Sequence, residues 1–301
     1  MVKTDKTPMV TIITPSYNQG KYIKETIESV LNQNYENIEY WVIDGGSTDD
    51  TVEILKSYGE RIKWVSEKDK GQTDAVNKGI KRATGEIVGW LNSDDTYLDG
   101  AVKRAVEYFQ NNAHVDMVYG EGYFIDEDSN IIDRYYTEPY NYKRLAELCY
   151  ICQPTAFFTL DIARKVGFLD DNLDLCMDYE FWIKIANTGV IGYMPDYQAT
   201  SRLYVENKTL SRSIEVRYEV CETVFKYYNY VPLTWVYSLV MEKRDRRRGR
   251  GFYRELFHYF KHYNSKNLVL SFESLCSVMW RYMTGKLQGG YSKKIKQKLK
   301  E

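Results

Sequence analysis

Met9-Val10-Thr11-Ile12-Ile13-Thr14-Pro15 is a β-branched run closed by a proline, and beyond it Ile23, Ile27, Val30 and Leu31 are spaced for one helical face over residues 21–33. That is a strand followed by a helix. The same alternation recurs at residues 38–43 and 51–58, at 62–65 and 73–83, and at 86–91 and 98–109. Four such units in succession predict an α/β fold with a mostly parallel, twisted sheet flanked by helices on both faces. Sheets of this kind bind ligands beyond the carboxyl ends of their strands, so the residues just after each strand carry the functional weight.

Those residues are polar. Pro15, Ser16, Tyr17 and Asn18 follow the first strand, and Asp44, Gly45, Gly46, Ser47, Thr48 and Asp49 follow the second. The third ends near Glu67, Asp69 and Lys70, and the fourth, Gly89-Trp90-Leu91, runs out into Asn92-Ser93-Asp94-Asp95. Helix capping accounts for Thr48 and Asp49, because short oxygen-bearing side chains are ordinary caps. It does not account for Asp44 and Asp94-Asp95 at two strand tips at once. Adjacent carboxylates at the open end of a buried strand repel each other unless a cation or hydrogen-bond donors sit between them. They predict a hard divalent metal and a phosphate-bearing ligand.

Past residue 114 the pattern becomes mixed. A strand is predicted over 116–119, a hairpin over 122–136 broken at Glu127-Asp128-Ser129-Asn130, an extended stretch over 151–159, and helices over 161–167 and 179–187. Asp178 sits at the mouth of the last helix, where spacing alone reads it as a cap.

With 301 residues and 44% hydrophobic content the chain can bury a full core, as one large domain with an appendage. Its net charge of −1 conceals an asymmetry. Residues 1–240 hold 25 Lys+Arg against 37 Asp+Glu, net −12, whereas residues 241–301 hold 16 against 5, net +11. Five scattered cysteines do not resemble a secreted disulfide framework and point to a reducing cytosol. Cys149 and Cys152 have half the spacing of a zinc site but no second pair, and read as core residues. Residues 1–8 are too polar for a signal peptide, and the longest uncharged stretch, 227–241, contains Asn229 and Pro232 and falls short of the ~20 apolar residues of a membrane span.

Taken together, these motifs resemble the family 2 glycosyltransferases, inverting nucleotide-sugar-dependent enzymes with a GT-A (Rossmann-like) fold. Val10-Thr11-Ile12-Ile13-Thr14-Pro15-Ser16-Tyr17-Asn18 looks like the family's opening strand and nucleotide loop, and Trp41-Val42-Ile43-Asp44-Gly45-Gly46-Ser47-Thr48-Asp49-Asp50-Thr51 like its base-binding segment. Lys70-Gly71-Gln72-Thr73-Asp74-Ala75-Val76-Asn77-Lys78-Gly79, then Ala83-Thr84-Gly85-Glu86, is similar to the lead-in to the family's Asp-x-Asp strand. The likeness runs over about residues 8–212.

The resemblance implies nucleotide contacts from Pro15, Tyr17, Asn18, Asp44, Asp74 and Asp94, with Asp44 on the base. It implies Mn²⁺ or Mg²⁺ on the donor diphosphate, with Asp95 as direct ligand and Asp94 close behind, although Asn92 stands where the motif usually has its first Asp. Trp90, Gln153 and Pro154 would line the donor-sugar or acceptor pocket. Cys176-Met177-Asp178-Tyr179-Glu180-Phe181-Trp182 looks like the segment carrying the general base, which moves Asp178 from cap to catalyst. Arg202 and Lys208, in a segment resembling a closing loop, become candidates for the diphosphate, while Tyr204 stands where relatives often carry a His.

The expected reaction is inverting transfer of a hexose or N-acetylhexosamine from a UDP-sugar, with dTDP-sugar as the other donor. The acceptor would be a hydroxyl of a glycan or polyprenyl-linked carrier in surface polysaccharide or glycoconjugate synthesis. One alternative is a non-catalytic nucleotide-sugar-binding assembly subunit. Another is a metal-dependent nucleotidyltransferase, which would need a Gly-rich basic loop where Pro15-Ser16-Tyr17-Asn18-Gln19-Gly20 stands.

Residues 1–212 are therefore expected to form the catalytic domain, and residues 213–301 a helical, basic and aromatic C-terminal region. There Tyr227, Tyr228, Tyr230, Trp235, Tyr237, Tyr253, Tyr259, Tyr263, Trp280 and Tyr282 interleave with Lys243, Arg244, Arg246, Arg247, Arg248 and Arg250, and a second basic run spans 293–300. This chemistry suits the headgroups of an anionic bilayer, so a cytoplasmic protein peripheral on the inner face of the cell membrane is expected. Helical packing or homo-oligomerisation is the other use of such a region; the acidic body disfavours nucleic acid.

Overall fold

The computed structural model describes residues 7–244 and 250–265. In chain order the elements are β1 (Val10–Ser16), α1 (Ile23–Leu31), β2 (Ile38–Asp44), α2 (Thr51–Ser57), β3 (Lys63–Ser66), α3 (Gln72–Arg82), β4 (Ile87–Trp90), β5 (Thr96–Tyr97) and α4 (Ala101–Asn111). There follow β6 (Met117–Ile125), β7 (Ile131–Arg134), α5 (Tyr142–Glu147), β8 (Phe157–Thr159), α6 (Leu160–Val166), α7 (Met177–Thr188) and β9 (Ile191–Arg202). Four helices close the described chain: α8 (Lys208–Ser211), α9 (Ser213–Tyr228), α10 (Leu233–Lys243) and α11 (Arg250–Asn264).

These elements divide into two compact units. The first takes the described residues up to Pro139 together with Ile151–Leu203, and the second takes Tyr140–Tyr150 with the described residues from Tyr204 on. The first unit is built on a nine-stranded mixed sheet of order β3-β2-β1-β4-β8-β6-β9-β5, with β7 on β6. Its first half is wholly parallel, as the four strand–helix repeats predict. β4 then pairs antiparallel with β8, β8 antiparallel with β6, and β6 parallel with β9.

β1 is buried along its whole length. Ile23, Ile27 and Val30 of α1 and Ala101, Val102, Ala105, Val106 and Phe109 of α4 close over the sheet as periodic stripes. On α3, Gly79 permits close approach to β1, since a Cβ there would lie 2.3 Å from Ile13 Cγ2.

Two features position the site. Register aligns Ser16 with Asp44 and Asp44 with Ser66, so the tips of β1, β2 and β3 end level. The chain also runs outward from β1 to β2 and β3, then returns to lay β4 on the other side of β1, with Ile13 beside Trp90. That reversal leaves a crevice between the tips of β1 and β4, where open α/β sheets bind ligands.

The second half of the sheet departs from the predicted pattern. β6 runs on through Gly120 and Gly122, where a turn between strands is predicted, and β9 lies in a stretch without a regular alternation. Gly192, Pro195 and Asp196 break the period-2 signal within β9, and the β6–β9 register shifts between Tyr119 and Gly122.

The second unit is helical. Cys221, Val231, Val236, Leu239 and Tyr263 form its core, and the Asn264 amide bonds both the N–H and the carbonyl of Val231 at 3.1 and 3.0 Å. Thr234 Oγ1 and Trp235 Nε1 donate to the carbonyls of Glu147 and Ala146, satisfying the C-terminal end of α5. No described helix is long and apolar enough to cross a membrane. Arg246, Arg247, Arg248, Trp280, Tyr282 and the run 293–300 lie outside the described residues.

Candidate active site at the strand tips

Asp44 ends β2 fully buried, and its carboxylate accepts from the backbone N–H of Gly46 (3.1 Å) and Ser47 (2.9 Å) and from the hydroxyls of Ser66 (2.6 Å) and Ser47 (2.5 Å). Gly46 reaches φ +84°, the left-handed turn that lets the chain fold back over this carboxylate. Asn18, also left-handed, stitches the β1 loop to the β2 loop: its N–H donates to Ser47 Oγ at 2.7 Å and its Oδ1 accepts from Thr48 N at 2.8 Å. Asp49 completes the seam by accepting from Gly20 N (2.9 Å) and Thr51 N (3.0 Å). Burial raises its carboxyl pKa, but the donors around it outweigh that and hold it below the usual carboxylate range. Pro15 is buried and Tyr17 is 59% exposed at the rim of this preformed turn. Beside them Ser16 Oγ is buried and makes no hydrogen bond to the described residues.

At the tip of β4 the organising residue is Asn92. Its Oδ1 accepts from Trp90 Nε1 (2.9 Å) and Gln72 Nε2 (2.8 Å), and its Nδ2 donates to Gln153 Oε1 (2.9 Å) and Asp95 Oδ2 (3.2 Å). Gln153 Nε2 returns a bond to the Trp90 carbonyl at 2.7 Å. Trp90, Gln153 and Pro154 are all buried, so the polar pair works from beneath the tip.

Asp95 is only 4% exposed; its Oδ1 accepts from Arg202 N at 2.9 Å and its backbone carbonyl accepts from Thr26 Oγ1 at 2.8 Å. Burial first, and the neighbouring Asp94 charge second, push its carboxyl well above the ordinary range. Asp95, expected to be the direct metal ligand, has both oxygens engaged inward, whereas Asp94 is half-buried.

Arg202 ends β9. Its side chain is fully buried, with Nε on the Asp94 carbonyl (2.8 Å), Nη1 on the Asp126 carbonyl (2.8 Å) and Ser129 Oγ (3.0 Å), and Nη2 on Glu25 Oε2 (2.6 Å). With these partners the guanidinium braces the strand tip. Lys208, the other diphosphate candidate, is exposed at the start of α8 in the second unit.

The remaining side of the site comes from α3 and the loop before α7. Gln72, which holds Asn92, is followed by Thr73, whose Oγ1 donates to the Leu173 carbonyl at 2.7 Å. Asn77 donates to the Leu169 carbonyl (3.1 Å) and Asp171 Oδ1 (2.7 Å) and accepts from Leu169 N (3.0 Å). A cavity of about 90 Å³ remains between residues 70–74 and 171–174. Asp74 lines it, accepting from Lys70 N at 3.1 Å and pairing with Lys78 at 3.2 Å. Burial opposes its ionisation, but Lys70 and Lys78 hold its pKa low.

These ties hold the loop that leads into α7 against α3. The N-cap of α7 is Cys176, which makes no side-chain capping bond, and Asp178 is the second helical residue, half-buried. Its Oδ1 accepts from the backbone N–H of Tyr179 at 2.8 Å, in the first turn of the helix. Gln72, Asn77, Ser66 and Glu25 are the structural residues that strand-end reasoning does not single out. The segment Lys70-Gly71-Gln72-Thr73-Asp74 held the only local signal, a polar run opening a helix.

A divalent cation fits this donor set in one way. Among the described residues no group of three or more His, Cys, Asp or Glu side chains could hold a metal. One half-buried carboxylate, Asp94, suits a Mg²⁺-type ion that draws its other ligands from phosphate oxygens and water.

The glycosyl transferase family 2 profile matches residues 11–166, just over half of the chain. Chondroitin synthase from Escherichia coli is 28% identical over 241 residues, covering 76% of this chain but 35% of that protein, so the chain spans about a third of that relative's length. Among solved structures, TarS from S. aureus in complex with UDP superposes with a TM-score of 0.57 at 20% identity, covering 77% of this chain and 70% of that one. A mannosyltransferase from Pyrobaculum calidifontis in complex with GDP-Man and Mn²⁺ superposes with a TM-score of 0.55 at 17% identity, covering 95% and 77%. At these identities the two structures establish the GT-A fold.

Proposed function

Because the chain belongs to glycosyl transferase family 2, we propose that it transfers a hexose or N-acetylhexosamine from a UDP-sugar to an acceptor hydroxyl with inversion at the anomeric carbon. The observation that supports this most is the pair of carboxylates Asp44 and Asp94 at the tips of β2 and β4, the two strands that flank β1, with the loop that precedes Asp178 tied to α3 beside them. Asp44 and Asp94 flank the crevice at the strand reversal, and Gln72 and Thr73 carry the connection from the β4 tip to the loop before α7.

The nucleotide's base lies in the turn over Asp44, with Tyr17 and Pro15 supplying an apolar wall and Asn18 holding the turn closed. Ser16 Oγ offers the base or ribose a hydrogen-bonding group that the described protein leaves unused. Asp94 would hold Mn²⁺ or Mg²⁺, and the chemistry such an ion would supply is positive charge that offsets the charge of the leaving diphosphate. Trp90, Gln153 and Pro154 form the floor under the donor sugar. Asp178 accepts the acceptor hydroxyl's proton as its oxygen attacks the anomeric carbon from the face opposite the diphosphate; a single displacement needs one such base and no protein nucleophile.

The deciding experiment is a nucleotide-sugar panel assayed for transfer and hydrolysis with Mn²⁺, on the wild type and Asp178→Asn. We expect UDP-sugars to be consumed, and Asp178→Asn to keep UDP affinity while losing about 10²–10⁴-fold in turnover. Full activity in Asp178→Asn removes the base assignment, and UDP binding without any turnover across the panel favours a non-catalytic sensor.

A further inference from the structure

The outer face of α11 has a composition that the transfer reaction does not use. The inner side of this helix packs on the second unit's core through Phe252, Leu256, Tyr259, Phe260 and Tyr263. Facing away from that core, Tyr253 and Phe257 are 65% and 69% exposed, one helical turn apart. Arg254, His258, Lys261 and His262 are exposed beside them. The sole carboxylate in the helix, Glu255, is neutralised by Arg244 at 2.9 Å. On α11 itself, the exposed residues beside the two aromatic rings are therefore all basic.

We propose that this face docks on an anionic lipid bilayer, with Tyr253 and Phe257 entering the headgroup layer and Arg254 and Lys261 meeting the lipid phosphates. Two exposed aromatic side chains in a basic surround are the composition of a helix lying in a membrane interface. Aromatic rings favour the headgroup level, where one edge is wet and the other apolar. The occupant is chosen by charge. Residues 266–301 carry eight Lys+Arg against two Asp+Glu, the same sign as the face, and a second copy would present that sign again. Neither is electrostatically complementary to Arg254 and Lys261; an anionic surface is. A nucleic acid shares the negative charge, but it would also approach a body that is net −12 over residues 1–240. At 15 residues α11 is too short to span a bilayer, so its contact is one of surface depth. The proposal does not depend on the donor or the reaction.

The test is co-sedimentation of the full chain with phosphatidylcholine vesicles, with and without phosphatidylglycerol. Wild type should sediment with the anionic vesicles and not with phosphatidylcholine alone, and added salt should release it. Tyr253→Ser and Phe257→Ser should each weaken vesicle partition by about ten-fold, the burial gain of one aromatic side chain at partial depth. Arg254→Gln and Lys261→Gln should each cost about five-fold. All four should keep the wild-type circular dichroism and the wild-type donor hydrolysis rate in the absence of vesicles. The proposal fails if wild type never sediments with anionic vesicles, or if the two aromatic variants partition like wild type. It also fails if the same substitutions instead abolish self-association, or binding to duplex DNA, in a chain that ignores vesicles.

Discussion

Arg202→Met removes the brace behind the donor-side carboxylates while leaving the backbone N–H that Asp95 uses. The side chain is fully buried, and its loss strips partners from the Asp94 and Asp126 carbonyls, Ser129 Oγ and Glu25 Oε2. Breaking a fully buried ion pair costs about 3–5 kcal/mol, but Glu25 is 45% exposed and recovers hydration, so its share is small. Two carbonyls left short of a donor, at about 1 kcal/mol each or somewhat more, bring the expected loss to about 3 kcal/mol. In a domain of this size that lowers the melting temperature by roughly 10 °C. The kinetic effect enters through Asp94, whose carbonyl loses Nε and whose carboxylate then wanders relative to the diphosphate. A displacement of about 1 Å at a reacting centre costs on the order of 10²-fold, so kcat/KM for donor hydrolysis should fall by about that factor at temperatures where the variant remains folded. Arg202→Lys should recover less than half of either loss, because one ammonium cannot serve the Nε, Nη1 and Nη2 partners at once. Differential scanning fluorimetry and steady-state hydrolysis read the two effects separately. A variant melting within about 1 °C of wild type with kcat/KM changed less than about two-fold refutes the brace.

Asp94→Asn should weaken Mn²⁺-dependent UDP binding at least about ten-fold by calorimetry, with Asp95→Asn mainly shifting the melting temperature; the opposite ranking would return the metal to Asp95. Asn92→Asp, which restores the family's usual carboxylate, should destabilise the protein by about 2 kcal/mol at neutral pH, because the present Nδ2 donates to Asp95 Oδ2 at 3.2 Å and a second anion there would repel it. The deficit should close as pH falls and one of the pair takes a proton; a variant as stable as wild type at neutral pH refutes it. Glu39, at the opposite end of β2, has a carboxyl that burial pushes up but that bonds from Lys63, Thr84 and Thr11 bring down to about 2. A depressed carboxyl pKa stabilises the fold above the unfolded value of 4.5, and that contribution is lost as pH falls through about 2. Glu39→Gln should thus cost about 1–2 kcal/mol at neutral pH, allowing for the screening of half-exposed Lys63, and the cost should shrink steadily between those two pH values in urea melts.

The parallel half of the sheet is legible because its information is local. Each strand there is a short β-branched run between breakers, each helix repeats its apolar residues at 3.6, and right-handed crossovers leave little choice of topology. The antiparallel half is less so. β9 pairs with β6 along a register that shifts around Gly120, and its own Gly192, Pro195 and Asp196 erase the alternation that would mark a strand. The site divides in the same way. The places of Asp44 at the end of a strand and Asp178 in the first turn of a helix are legible, since position along an element is a sequence property. Arg202 is not, because a basic residue near a predicted loop looks the same whether its guanidinium faces a ligand or closes on four protein partners from three other segments.

Asp94 and Asp95 show why the division falls there. Past the end of β4 the alternation of side chains that tells inside from outside no longer applies, so two neighbouring carboxylates are equivalent on paper. What separates them is the backbone N–H of Arg202, 107 residues away, which takes Asp95 Oδ1 and turns that carboxylate inward. Asn92 then becomes intelligible. Asp95 needs a donor on its other oxygen, and an amide at position 92 supplies one while accepting from Trp90 and Gln72. The absent first carboxylate is thus the condition for burying the last one.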